Sequence, residues 1–216
     1  MRTYHTIFAR LDGRSGILFL VAGGMLFIAT ANNALGAYTS LTTQAGLPLA
    51  LEAVAGFGGM VIAFIGLVGL YPRLADSEPR LARIGVGFVA LPAVVFVVLV
   101  TCAIPAGLLG LPSPAAVIPA LDAVVIAAFL MSAVGVAALG VRSLSHTVGT
   151  SLLVLAVAWF LLFGAAYLNG FPISNRVVVG TGVMQMAALF GAGYGLRLDA
   201  GTANRADSLV DHSTAD

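Results

Sequence analysis

Three ionisable side chains stand where hydrocarbon would make them costly: Glu52 in "GLPLALEAVAGF", Asp122 in "IPALDAVV" and Arg176 in "FPISNRVVV". A charged group at the centre of a bilayer costs about 2.5–3.5 kcal/mol on the insertion scale and less near the interface, so such residues face one another or water. Two acids beside one base leave a spare negative charge. A partly desolvated carboxylate in that position could take up a proton, a metal cation or a cationic solute. Glu52 with Asp122 is also the one pair of acids with the makings of general acid and base chemistry, although no catalytic motif surrounds either. Asn32, Asn33, Asn169 and Asn175 lie close to the same positions in the apolar runs, so polarity gathers at one depth. Glu52, Asp122, Arg176, Asn32 and Asn33 are therefore the candidate polar layer, either a solute or ion site or a set of contacts that fixes helix rotation. Deeper in, Gln185 in "GVMQMAAL" is the strongly polar side chain, either lining a pathway or bonding a neighbouring helix.

These residues need elements that hold them at that depth. Of the 216 residues, 60% are hydrophobic and 9% charged, too little polar surface to cover a water-facing globule of this size. A hydrocarbon core about 30 Å thick takes about 20 apolar residues in a helix. Six such runs are present, at about 16–38, 48–71, 84–108, 117–141, 148–169 and 177–197, separated by stretches rich in Pro, Gly, Ser, Asn or charge. Backbone groups in lipid must be satisfied within the segment, and the runs are too long for barrel strands. The expectation is an all-α polytopic membrane protein, a bundle of six transmembrane helices over 16–198. A cytoplasmic segment over 1–15 and a disordered cytoplasmic tail over 199–216 flank it.

Nine of the ten bases, all of them arginine, flank the runs on one side: Arg2, Arg10, Arg14, Arg73, Arg80, Arg83, Arg142, Arg197 and Arg205. Only Arg176 is on the other. The positive-inside rule then places both termini in the cytoplasm and the candidate polar layer just under the outer surface. An arginine-only set of bases suggests a GC-rich prokaryotic genome and hence a prokaryotic cell membrane. The first run also carries signal-peptide features, ending in Ala29-Thr30-Ala31, but its apolar stretch continues to full span length, which favours a retained helix. The even-numbered runs share a layout of proline, ionisable residue and inner arginine: Pro48, Glu52, Arg73; Pro119, Asp122, Arg142; Pro172, Arg176, Arg197. That layout suggests three successive helical hairpins.

Several chemistries are unsupported. Nine acids against ten bases provide no concentrated basic face for nucleic acid. Cys102 is the lone cysteine, so neither a disulfide nor a CxxC metal or redox site can form within the chain. "GAGYG" at 191–195 resembles a potassium filter only in composition, being embedded in an apolar run with no pore helix before it, and no strand precedes it as a dinucleotide site requires. His5, His146 and His212 lie at run edges or in the tail, which leaves no buried pair for haem. "SLSH" at 143–146 has no buried acid partner for a protease. No catalytic residue, cofactor or metal ligand is assigned. Small residues at fourfold spacing, Ala55, Gly59, Ala63 and Ala187, Gly191, Gly195, favour close helix approach, inside the bundle or across a dimer face. Pro92 should kink the third helix. The partners expected are the lipid bilayer, with a homo-oligomer or a membrane partner, or a small solute or cation. Three function classes follow: a small transporter or channel-like protein, a non-catalytic membrane subunit or scaffold, and, with least support, a membrane enzyme.

Overall fold

The computed structural model describes residues 13–37, 52–109, 121–141, 145–169 and 173–213, and every element among them is helical. The helices are α1 (Ser15–Asn32), α2 (Gly58–Gly69), the short α3 (Tyr71–Ala75), α4 (Pro79–Leu108), α5 (Leu121–Val141), α6 (His146–Asn169) and α7 (Asn175–Ser213). A π-helical turn over Asn33–Ala37 prolongs α1, and a second over Glu52–Phe57 leads into α2. Six helical stretches are long and apolar enough to cross a membrane. The chain is a six-helix integral membrane bundle, and its spans coincide with the six apolar runs of the sequence.

The ends of the helices depart from those runs for local reasons. Pro72 has no N–H to continue the ladder of α2, so the helix closes at Leu70, whose N–H turns back to the Leu67 carbonyl at 3.2 Å. Pro72 then sits in the first turn of α3, where its missing donor costs nothing. The arginine-rich stretch expected to be a loop is thus mostly helix: α4 begins at Pro79, five residues before the apolar run, because helix formation does not stop at the hydrocarbon boundary. At the other end of the chain, α7 continues to Ser213, where the sequence reading placed a disordered tail from 199. A span of this length has already met the nucleation cost, and each further residue adds one backbone hydrogen bond. Pro92 is fully buried within α4, which runs unbroken from Pro79 to Leu108. Pro48, Pro119, Pro172 and Arg142 of the proposed hairpin layout lie outside the described residues, as does the segment before residue 13.

Around the bundle the order of neighbours is α2, α1, α7, α6, α5, α4, with α4 returning more sparsely to α2. Packing between the expected hairpins, α1 on α7 and α5 on α6, is as extensive as packing within them. The six spans therefore form one continuous bundle. Close approach depends on glycine at the crossings. A Cβ on Gly193 would stand 2.7 Å from the Gly16 carbonyl oxygen, and one on Gly135 would stand 2.7 Å from that of Gly85. These crossings bring backbones together where any larger residue would hold them apart. The stripe Ala55, Gly59 and Ala63 is buried inside the bundle, while of the second stripe Gly191 and Gly195 face α6 and Ala187 is exposed. Gly59 packs on Met25 and Leu26 of α1, Gly191 on Ser151 of α6, and Gly195 on Thr147 and Val148 of α6.

The centre is aromatic. Phe64 of α2 meets Phe96 of α4 at 6.0 Å, Phe129 of α5 at 5.9 Å and Trp159 of α6 at 5.2 Å between ring centroids. Phe129 stacks on Phe163 at 4.0 Å with planes 11° apart, and its edge meets Phe96 at 5.3 Å and Trp159 at 6.1 Å. Tilted, edge-on and offset arrangements suit the ring quadrupole. Trp159, Phe163 and Tyr167 stand four residues apart on α6; the first two are core and Tyr167 is exposed. The third span is the least enclosed among the described residues, with 28% of its 18-residue apolar stretch buried, and Ile84, Leu91 and Val98 form an exposed row at sevenfold spacing along it.

Candidate functional site at the asparagine end of the bundle

Both π-helical turns stand at the same end, the one expected to face outward. Asn33 opens the turn that follows α1, and Glu52 opens the turn that leads into α2 and packs on α1. Asparagines, which compete with the ladder through their own side chains, and Gly36 hold α-helix weakly in this stretch. A π-turn within a span is an infrequent backbone choice that recurs at functional sites.

Asn32 and Asn33 are both buried, Asn33 to 5% exposure. The Asn175 side chain, at the first residue of α7, donates from Nδ2 to the backbone carbonyl of Asn33 at 3.1 Å. This bond ties the end of the first span to the start of the last. It also fixes the orientation of the Asn175 amide, since the reversed amide would set two oxygens against each other. The consequence is an excess of acceptors: Asn33 Oδ1 and Asn175 Oδ1 are both buried and, among the described residues, neither receives a hydrogen bond. A buried acceptor left unmet costs about 1–3 kcal/mol, so two in one place need a physical reason. Just inward, Thr181 is buried and returns its hydroxyl to the Val177 carbonyl at 2.7 Å. Gly182 leaves space that Thr30 of α1 occupies.

The structure joins some of the candidate residues and leaves others apart. Asn33 is brought to Asn175, and Asn32 is buried one residue away. Arg176, expected to face the acids, is exposed. Glu52 and Asp122 start their helical segments at this end, while their side chains, like that of Asn169, fall outside the described residues. Gln185 is far from this layer. It is 5% exposed, and its Oε1 accepts a hydrogen bond of 3.2 Å from Trp159 Nε1. Trp159, fully buried, is the residue that sequence reasoning left out of the site. A signal was present: α6 and α7 are antiparallel neighbours, and Trp159 and Gln185 each lie ten residues from the facing ends of their helices, Asn169 and Asn175.

The opposite end collects arginines. Arg197 packs its stem against Gly16 near the start of α1, and Arg73 and Asp199 line one small cleft with Leu70, Leu74, Leu139, Val148, Leu152 and Leu196. That cleft, about 10 Å³, has room for about one water. Comparison of the chain with protein-family models, with curated proteins and with solved structures gave no match.

Proposed function

We propose that this protein is a non-catalytic membrane subunit or scaffold, resident in a prokaryotic cell membrane with both termini in the cytoplasm. The observation that carries the reading is the filled axis of the bundle. Phe64, Phe96, Phe129, Trp159 and Phe163, from four helices, pack ring against ring, and Gln185 of a fifth helix is bonded to Trp159. The one strongly polar side chain at mid-depth is thereby used to fasten two helices, at about 0.6–2 kcal/mol, in place of lining a path. The gathering of Arg73, Arg197 and Asp199 at one end, opposite the asparagines, supports the assigned orientation.

A small transporter or channel-like protein is the second reading, and the buried acceptors of Asn33 and Asn175 favour it as an outer vestibule. Flux separates the two. The purified chain in liposomes is expected to pass no small ion or dye above the background of empty vesicles, while chemical crosslinking in native membranes captures a defined membrane partner or a second copy. Saturable uptake by the reconstituted protein would overturn the scaffold reading.

A further inference from the structure

The unmet oxygens at the asparagine end have a chemistry of their own, and it is independent of whether the bundle conducts. We propose that Asn33 Oδ1 and Asn175 Oδ1 contribute to a binding site for a monovalent alkali cation of the sodium type, which locks the last span onto the first. Three observations converge. Asn33 is 5% exposed and its side-chain oxygen receives no donor among the described residues; Asn175 Oδ1 is buried in the same condition one hydrogen bond away. Amide oxygens are hard, neutral ligands, suited to small hard cations, and irregular backbone at a helix end is where membrane proteins coordinate Na⁺. The π-turn beginning at Asn33 supplies that irregular backbone, and its first carbonyl is already drawn out to Asn175.

The formal charges at this end favour a cation. Neighbouring helices alternate in direction, so their terminal dipoles largely cancel here. What remains is Glu52 and Asp122, at the starts of their helical segments, against the single Arg176, whose side chain is exposed. One added positive charge would balance these formal charges. A bound cation also accounts for two buried acceptors that receive no donor among the described residues, an arrangement that would otherwise subtract from stability.

The test uses the full chain in detergent or nanodiscs, with unfolding followed by the emission of Trp159, the one tryptophan in the sequence. NaCl is exchanged for N-methyl-D-glucamine chloride at constant ionic strength, with KCl as a third arm. At a concentration about ten times the dissociation constant, one of the alkali cations is expected to raise the midpoint by about 3–6 °C, with saturation. Asn33→Leu removes the buried acceptor and is expected to unfold at the same temperature in all three salts. Asn175→Ala is the second variant, and the salt comparison on the unaltered chain stands without either. Identical midpoints in alkali and N-methyl-D-glucamine chloride would overturn the proposal, and so would an alkali effect retained in Asn33→Leu. A saturable effect on stability without flux keeps the site and the scaffold reading together. Uptake of labelled Na⁺ would overturn the scaffold reading and leave the site.

Discussion

Replacing Gly135 by alanine tests whether backbone contact between α4 and α5 organises this half of the bundle. The added Cβ would stand 2.7 Å from the Gly85 carbonyl oxygen, 2.9 Å from Phe88 Cβ and 3.1 Å from Val89 Cγ2. The first two obstacles belong to the backbone or sit directly on it, so rotation of a side chain cannot relieve them. The helices must part by about half an ångström at the crossing, and overpacking of this kind costs about 1–3 kcal/mol. Against that, alanine gains about 0.5–1 kcal/mol over glycine within a helix. The net loss expected is about 1–2 kcal/mol, or a fall of about 2–8 °C in the unfolding midpoint for a chain of this size. Gly87→Ala is the control on the neighbouring helix, because nothing lies within 4 Å of its added Cβ, and it should hold or slightly raise the midpoint. Thermal unfolding in detergent, read by Trp159 emission, supplies the numbers. The double variant Gly85→Ala with Gly135→Ala should lose less than the sum of its parts, since helices already parted admit the second methyl. Equal midpoints for Gly135→Ala and Gly87→Ala would refute the reasoning.

Gln185→Leu is expected to cost about 0.6–2 kcal/mol and to shift Trp159 emission to shorter wavelength, because the indole N–H loses its 3.2 Å acceptor; unchanged emission would mean the bond does not form in the membrane. Phe64→Ala should cost about 2 kcal/mol, less than in a soluble core, since lipid offers the exposed alternative almost the same transfer energy and the cavity term dominates. A double variant of Phe64→Ala with Phe129→Ala should show coupling in the same unfolding assay, and strict additivity would argue against their contact. In a Cys102→Ala background, Ser174→Cys should react with a membrane-impermeant maleimide on intact cells, and Ser77→Cys only after permeabilisation, both positions being exposed and at opposite ends. The reverse pattern would invert the topology and with it the outer assignment of the asparagine layer.

How much of this was legible in the sequence follows from what lipid demands of a helix. Span number and position came through because every backbone group in hydrocarbon must be met within its own helix, which forces long uninterrupted runs. Rotation did not come through. Lipid is as apolar as the core, so exposed Leu91 and Val98 and buried Val89 and Phe96 on α4 are the same kind of residue, and no period marks the inward face. Glycine was the usable marker of contact, and it left open whether the contact lay inside the bundle or between copies. Within the chain, Gly16 against Gly193 and Gly85 against Gly135 are contacts of this kind. The helical continuation through Ser213 was hidden for the opposite reason, since polar composition reads as disorder whenever the preceding span is left out of account.

The candidate layer shows the same division between depth and direction. Counting residues from the ends of the apolar runs puts Asn32, Asn33 and Arg176 at one depth, because rise per residue is fixed at about 1.5 Å. Counting could not say which way each side chain turns: Arg176 is exposed, and its neighbour Asn175 makes the inward contact. A shift of one residue turns a helical side chain by about 100°, enough to exchange a buried amide for an exposed guanidinium. The energetic preference agrees with the outcome. A neutral amide can cross to a backbone carbonyl at modest desolvation cost, whereas a guanidinium at the outer threshold reaches water with its long stem and keeps its hydration. The last span is therefore anchored to the first by an asparagine, and the charge beside it stays at the surface.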